Sequence, residues 1–108
     1  MDKENLFELP ADMGAEEFFE TLLQTKSFRL ERIISRGNST PAGEWYDQDR
    51  PEWVVLLKGS AALLIEGQEH PLYLQAGDYV NLPSHLRHRV EWTNPHQETV
   101  WLALHHTD

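Results

Sequence analysis

The chain has 108 residues, the usual size of one domain with one hydrophobic core. It carries 18 acidic and 9 basic residues, for a formal net charge of -9. This charge disfavours nucleic acid and anionic membrane surfaces, so we expect neither as a partner. The absence of cysteine excludes a disulfide framework, a thiolate metal site and a cysteine nucleophile.

Residues 1–27 are predicted to form an N-terminal arm followed by a short helix. Residues 1–13 mix charged and apolar side chains, which suits an ordered arm lying across the domain. Between Gly14 and Lys26, apolar residues recur at helical spacing, and the charges at the two ends suit the helix dipole. The apolar residues of this predicted helix are Phe18, Phe19, Leu22 and Leu23.

Nothing near the N-terminus resembles a targeting segment. The first residues have neither a basic start nor an apolar stretch typical of a signal peptide. The longest apolar runs in the chain are five residues, whereas a membrane-spanning helix needs roughly 20. We therefore expect a cytoplasmic protein.

Residues 28–108 are predicted to form a β-barrel. Short segments of strand-like composition follow one another, and Gly, Pro and Asn mark the turns between them. Such near-regular spacing is typical of a sandwich or barrel. The predicted strands are Phe28–Ser35, Glu44–Gln48, Glu52–Lys58, Ala61–Glu66, Pro71–Leu74, Tyr79–Leu82, Arg87–Thr93 and Thr99–His105.

The strand Arg87–Thr93 is expected to direct His88 and Trp92 inward. Alternate residues of a strand point to opposite faces. The face opposite His88 carries two arginines and a glutamate, and these must meet water. An inward Trp92 would line a cavity beside His88.

The strand Glu52–Lys58 is apolar on both faces beyond Glu52. Trp53, Val55 and Leu57 lie on the face opposite Glu52, so the strand is expected to be covered on both sides. Either the N-terminal helix or a partner subunit could cover this second face. We expect a homodimer.

Two stretches resemble the paired sequence motifs of the cupin family. In the second motif, G-x5-P-x-G-x2-H-x3-N, the glycine, proline and histidine places hold Gly77, Pro83 and His88. Two positions differ, because His85 stands at the second glycine place and Trp92 at the asparagine place. The resemblance covers about residues 28–105.

The first motif, G-x5-H-x-H-x(3 or 4)-E-x6-G, is met in its second half, where Glu52 and Gly59 keep the spacing. Counting back from Glu52 by the shorter gap, the two histidine places hold Tyr46 and Gln48. The leading glycine place holds Thr40.

The resemblance implies an all-β, cupin-like jelly-roll barrel, here preceded by the short N-terminal helix, with a metal site at the barrel centre. Family members typically bind iron, manganese, nickel or zinc through histidines and a glutamate. The matching positions make Gln48, Glu52 and His88 the candidate ligands of a divalent metal ion. An amide is a much weaker ligand than imidazole, so a metal-free cavity remains an alternative.

Other polar residues have open roles at this stage. Tyr46 either lines the pocket or belongs to the core, and His85 either turns toward the pocket mouth or is held within its own turn. One of His105 and His106 must face the barrel, which makes both candidates for a further ligand. Glu52 could also be a buried carboxylate with a hydrogen-bond partner.

Three functions remain open from the sequence. The leading one is a protein that binds a small organic molecule with a divalent metal and transforms it as an oxygenase, isomerase or lyase. The second is a metal-free binding module for a sugar-like or carboxylate ligand, without turnover. The third is a purely structural dimeric barrel.

Overall fold

The computed structural model describes residues 1–107, and within them the regular secondary structure is entirely β. The eight strands are β1 (Phe18–Gln24), β2 (Phe28–Ser35), β3 (Glu52–Lys58), β4 (Ser60–Ile65), β5 (Leu72–Gln75), β6 (Tyr79–Leu82), β7 (His88–Thr93) and β8 (Thr99–His106). In this part of the chain no helix is long and apolar enough to cross a membrane.

The strands form two antiparallel sheets that enclose the core. The larger sheet has the order β1-β2-β8-β3-β6, and the smaller one has the order β5-β4-β7. The buried core cluster between the two sheets consists of Val54, Leu56, Ala61, Leu63, Leu74, Leu82, Trp101 and Ala103. The predicted all-β jelly-roll architecture is confirmed.

The predicted N-terminal helix is wrong, because Phe18–Gln24 forms strand β1, which pairs with β2. The pairing register shifts between Thr21 and Leu23, so Leu22 is an extra residue that forms a β-bulge. A bulge interrupts the two-residue alternation of a strand, and the interrupted apolar pattern resembles helical spacing. The long-range ladder with β2 prevails over that local pattern.

The predicted strand Glu44–Gln48 is reduced to a single β-bridge between Tyr46 and His88. The Tyr46 N–H donates to the His88 carbonyl at 2.7 Å, and the His88 N–H donates to the Tyr46 carbonyl at 3.1 Å. The remaining predicted strands are present, with bounds that agree within one residue. The bridge is enough to hold Tyr46 beside β7.

The N-terminal arm lies against the outer side of β2 through one buried arginine. The Arg32 guanidinium donates to the carbonyls of Leu6 at 3.0 Å and Glu8 at 2.8 Å. It also forms an ion pair with Glu20 at 2.7 Å. Because alternate residues of a strand point to opposite faces, the residues on either side of Arg32 point toward the barrel interior.

Candidate functional site

One cavity of about 70 Å³ lies between the two sheets. Its walls are mostly apolar, from core residues of both sheets and from Phe19 of β1. Its polar lining consists of Glu17, Glu31, Tyr46, Gln48, Glu52, His88 and His105. The structure thus places Tyr46, Gln48, Glu52 and His88, four of the six candidate site residues, around a single cavity.

Glu52 and His88 face each other across this cavity. Glu52 begins β3 and His88 begins β7, and each is 6% exposed. The distance from Glu52 Oε1 to His88 Nε2 is 3.9 Å, which is too long for a hydrogen bond. A donor atom of a ligand could therefore contact both groups at once.

The tautomer of His88 follows from its hydrogen bond to the backbone. His88 Nδ1 lies 2.9 Å from the Leu86 carbonyl oxygen, which can only accept, so Nδ1 carries the proton and donates it. In the neutral ring, Nε2 then has a free lone pair directed toward Glu52. His88 is an acceptor on the cavity side.

Burial raises the pKa of the Glu52 carboxyl above its ordinary value. Desolvation is the largest cause, since the charged form loses its water shell. His105 and His88 oppose this effect, Glu31 adds to it, and the Gln48 amide favours the charged form. Glu52 therefore holds its proton at higher pH than an exposed glutamate does.

Glu31 and His105 form a second carboxylate–imidazole pair in the cavity wall. Glu31 is on β2 and His105 on the neighbouring β8, and the distance from His105 Nε2 to Glu31 Oε1 is 3.2 Å. Pairing of β3 with β8 sets His105 opposite Glu52. His106 points away from the cavity and donates from Nδ1 to the Thr107 carbonyl at 3.2 Å.

Tyr46 packs on the imidazole of His88. The two ring centroids are 5.6 Å apart with an interplanar angle of 27°. Burial, with added repulsion from the carboxylates of Glu17 and Glu52, raises the pKa of the Tyr46 hydroxyl. Tyr46 therefore stays protonated at neutral pH and offers a hydrogen-bond donor to the cavity.

Glu17 joins the site through a hydrogen-bonded chain that the sequence pattern did not indicate. The Ser35 hydroxyl donates to Glu17 Oε2 at 2.6 Å, and the Trp101 indole N–H donates to Ser35 Oγ at 3.3 Å. Burial raises the pKa of the Glu17 carboxyl, and the Ser35 hydrogen bond partly opposes this. The sequence analysis did not identify Glu17, because it predicted a helix over this segment. The position of Glu17 at the cavity depends instead on the pairing of β1 with β2.

His85 lies outside the cavity lining, in the turn before β7. Its side chain is 65% exposed, and its Nδ1 is 2.9 Å from Asp47 Oδ1. Its φ of 62° is the left-handed conformation that glycine adopts readily, which explains why the family motif has glycine at this place. Here the contact with Asp47 holds the His85 side chain outside the cavity.

The prediction that Trp92 faces inward with His88 is wrong. Trp92 is 41% exposed, whereas its neighbour Thr93 is buried at 1%. The register of β4 with β7 shifts between the pairs Ala62–Trp92 and Leu63–Val90. Glu91 is therefore a bulge residue, and beyond it the alternation of inward and outward side chains is reversed.

The donors at the motif positions are a mixed set for a metal ion. Gln48, Glu52 and His88 offer one amide, one carboxylate and one imidazole. Within residues 1–107, no three His, Cys, Asp or Glu side chains are grouped so that they could hold one ion. Because an amide oxygen is a weaker ligand than the imidazole of the family motif, this donor set does not fit a typical cupin metal site.

Solved structures that resemble this chain share its whole architecture. A protein from Ralstonia eutropha JMP134, named "putative mannose-6-phosphate isomerase", matches over 100% of both chains, with 41% sequence identity and a TM-score of 0.93. A cupin superfamily protein from Desulfitobacterium hafniense DCB-2 has 14% identity and a TM-score of 0.73, over 92% of this chain and 84% of that one. The polyketide cyclase RemF from Streptomyces resistomycificus has 18% identity and a TM-score of 0.76, over 100% of this chain and 80% of that one.

The chain has the cupin fold. The double-sheet barrel, the motif spacing and the neighbours named as cupins agree on this. The more distant neighbours show the shared fold alone. No family model matches the chain, and no curated protein matches it.

Proposed function

We propose that this cupin binds a small organic molecule in the barrel cavity, where Glu52 and His88 contact it and move a proton. The observation that carries the proposal is the 3.9 Å separation of Glu52 Oε1 from His88 Nε2, with both residues more than nine-tenths buried. Burying an ionisable pair in this way is costly unless it has a use or a partner.

Isomerisation suits these two groups. His88 Nε2 would take a proton from a carbon next to a carbonyl, while protonated Glu52 gives its proton to the carbonyl oxygen. Return of the proton from His88 to the neighbouring carbon, and of a hydroxyl proton to Glu52, completes a balanced isomerisation. The raised pKa of the Glu52 carboxyl favours the protonated form that this step requires. The 41% identical relative carries an isomerase name, which supports this class of reaction.

Deuterium exchange tests this function. The protein, treated with a chelator, is incubated in D₂O with dihydroxyacetone or mannose 6-phosphate, and loss of the C–H signal next to the carbonyl is followed by NMR. We expect exchange with at least one compound, and a loss of about 100-fold or more in His88→Ala. His96→Ala, which removes an exposed histidine, is the matched control and should exchange as the native protein does.

The outcomes separate the alternatives. Exchange that His88→Ala leaves unchanged would contradict a role for His88. Binding without exchange would leave the cavity as a binding site without turnover, which was the second hypothesis from the sequence.

A divalent metal ion bound by Gln48, Glu52 and His88 is the second candidate function. The free lone pair of His88 Nε2, directed toward Glu52, favours it, and ligand atoms would lie about 2.0 to 2.2 Å from such an ion. Elemental analysis of protein purified without chelator or affinity metal tests this candidate. Near one mole of metal per chain, lost in His88→Ala, would support it, and a value near zero would support the metal-free cavity.

A further inference from the structure

We infer that the ligand of this cavity is a small molecule without an anionic group, so that sugar phosphates and carboxylates are excluded. This inference rests on the proposed binding function and narrows its ligand class. It differs from the substrate in the name of the 41% identical relative, which is a phosphorylated sugar.

The charge of the cavity wall is the first argument. Glu17, Glu31 and Glu52 line the cavity, and no lysine or arginine does. The two histidines of the lining each face a carboxylate, at 3.9 Å for His88 and 3.2 Å for His105. An additional anion would enter a site whose possible positive charges are already opposed.

Arg29 does not change this balance. Its guanidinium Nε is 4.0 Å from Glu31 Oε2 and its side chain is 41% exposed. It is absent from the cavity lining, although with Arg50 it lines an adjoining pocket that shares Gln48 and His105 with the cavity. Its contact with Glu31 pairs it with a carboxylate, so the cavity wall itself gains no unopposed positive charge.

The hydrogen-bond donors are the second argument. Proteins hold phosphates with arginine, lysine or the free N–H groups of a helix N-terminus. The described residues contain no helix, and the lining strands β2, β3 and β8 use their backbone groups in sheet ladders. The edge strand β7 pairs with β4 on one side, and on its other side the backbone groups of His88 and Val90 bond Tyr46 and Thr40. Neutral donors such as the Tyr46 hydroxyl and the Gln48 amide remain, and these suit hydroxyl or carbonyl oxygens.

The volume is the third argument. The cavity volume is about 70 Å³, whereas pockets for drug-sized ligands measure roughly 300–1,000 Å³. A few non-hydrogen atoms fill it, so a six-carbon sugar phosphate would extend beyond the cavity. A short polyol or hydroxycarbonyl compound is of the right size.

A series of matched compounds tests the inference. Glycerol is neutral, serinol is its cationic analogue, glycerate carries a carboxylate and glycerol 3-phosphate carries a phosphate. Each is titrated into ¹⁵N-labelled protein, and the Trp101 indole N–H, which is hydrogen bonded to Ser35 beside the cavity, is the reporter. A Trp101→Phe sample assigns its signal.

We expect glycerol or serinol to shift the Trp101 signal, with glycerate and glycerol 3-phosphate at least about tenfold weaker. The discrimination against glycerate should shrink in Glu31→Gln, because one negative charge leaves the wall. Glu69→Gln, an exposed glutamate in the turn before β5, is the matched control and should keep the full discrimination.

Two results would overturn the inference in different ways. Binding of glycerate or glycerol 3-phosphate as tight as that of glycerol would overturn the ligand class but leave the binding function in place. If none of the four compounds shifts the Trp101 signal at millimolar concentration, both the binding function and this inference fail.

Discussion

At the scale of the residue, the polar part of the cavity wall consists mainly of ionisable side chains that lie close to one another. Glu52 and His105 sit opposite each other on adjacent strands, and Glu31 meets His105 at 3.2 Å. Burial raises the pKa of both Glu17 and Glu52. The native state therefore carries a desolvation cost at neutral pH that a surface carboxylate would not impose.

The stability of the protein should depend on pH through Glu52. A carboxyl whose pKa is higher in the folded state than its ordinary value of 4.5 stabilises the fold fully below that ordinary value. This contribution is lost as pH rises through the raised pKa. Glu52→Gln removes the dependence, so the variant should be more stable than the native protein at neutral pH and lose that advantage on acidification.

Urea unfolding of the native protein and Glu52→Gln, at pH values from the carboxyl range to neutrality, measures this effect. Glu69→Gln provides the control for an exposed glutamate. A native protein whose free energy of unfolding rises relative to Glu52→Gln between acid and neutral pH would contradict the raised pKa.

His88 should matter for the site more than for the fold. His88→Ala removes the imidazole that Tyr46 packs against and the group facing Glu52. Because water can fill the space beside the polar groups of Glu52 and Tyr46, we expect a loss of stability of about 1–3 kcal/mol with the same far-UV circular dichroism. Global unfolding of His88→Ala would contradict this and would show that His88 is needed for the fold itself.

At the scale of the element, β-bulges decide which side chains reach the cavity. Extra residues occur at Leu22 in β1, at Leu57 where β3 pairs with β8, and at Glu91 in β7. Each bulge changes the face on which the following residues lie. The bulge at Glu91 is the reason that Trp92 lies outside while His88 lies inside.

The turn between β3 and β4 depends on Gly59. This glycine has a φ of 92°, and a Cβ built on it would lie 2.5 Å from Thr99 Oγ1 and 2.8 Å from the Glu98 carbonyl oxygen. Gly67 has a φ of 88°, but a Cβ there would meet nothing within 4 Å. Alanine at Gly67 would therefore test the cost of the positive φ alone. Alanine at Gly59 would test that cost together with the cost of the steric overlap.

We therefore expect Gly67→Ala to cost about 1–2 kcal/mol of unfolding free energy, from the positive φ alone. Gly59→Ala should cost at least about 1 kcal/mol more, because the added Cβ overlaps backbone atoms of the segment leading into β8. Thermal or urea unfolding of the two variants gives both values. Equal losses would mean that the contact with Thr99 relaxes without cost.

At the scale of the whole molecule, the outer face of the larger sheet carries an apolar strip. Trp53 and Val55 on β3 lie beside their pairing partners Leu104 and Leu102 on β8, and all four are half-buried. The predicted helix that could have covered Trp53 is absent from residues 1–107. Of the two covers that the sequence analysis considered for this strip, a helix or a partner subunit, the partner subunit remains.

We accordingly predict a homodimer that buries this strip. Light scattering should give about twice the 12.6 kDa mass of the chain, and Trp53→Glu should reduce it to one chain by placing a charge in the interface. Tyr73→Glu changes a 70% exposed aromatic residue of the smaller sheet and should leave the dimer intact. A native mass of 12.6 kDa at micromolar concentration would contradict the prediction.

Local features of the sequence were sufficient for most of the barrel. Turn residues and strand composition gave the bounds of β2, β3 and β6 as the structure has them. The motif spacing correctly predicted that Glu52 and His88 share one cavity. The spacing fixes the position of each residue along its strand, and alternate residues of a strand point to the same face. Gln48 and Tyr46 followed from the same count.

Other features depended on pairing between distant parts of the chain. The sequence alone did not distinguish His105 from His106, because only the register that sets His105 opposite Glu52 selects one of them. The strand character of β1 and the outward direction of Trp92 depend on ladders with β2 and β4 that no local window contains. By itself the sequence determined a single cupin barrel with Glu52 and His88 inside it, whereas the tertiary structure decided which further side chains share the cavity, because bulges and register are properties of paired strands.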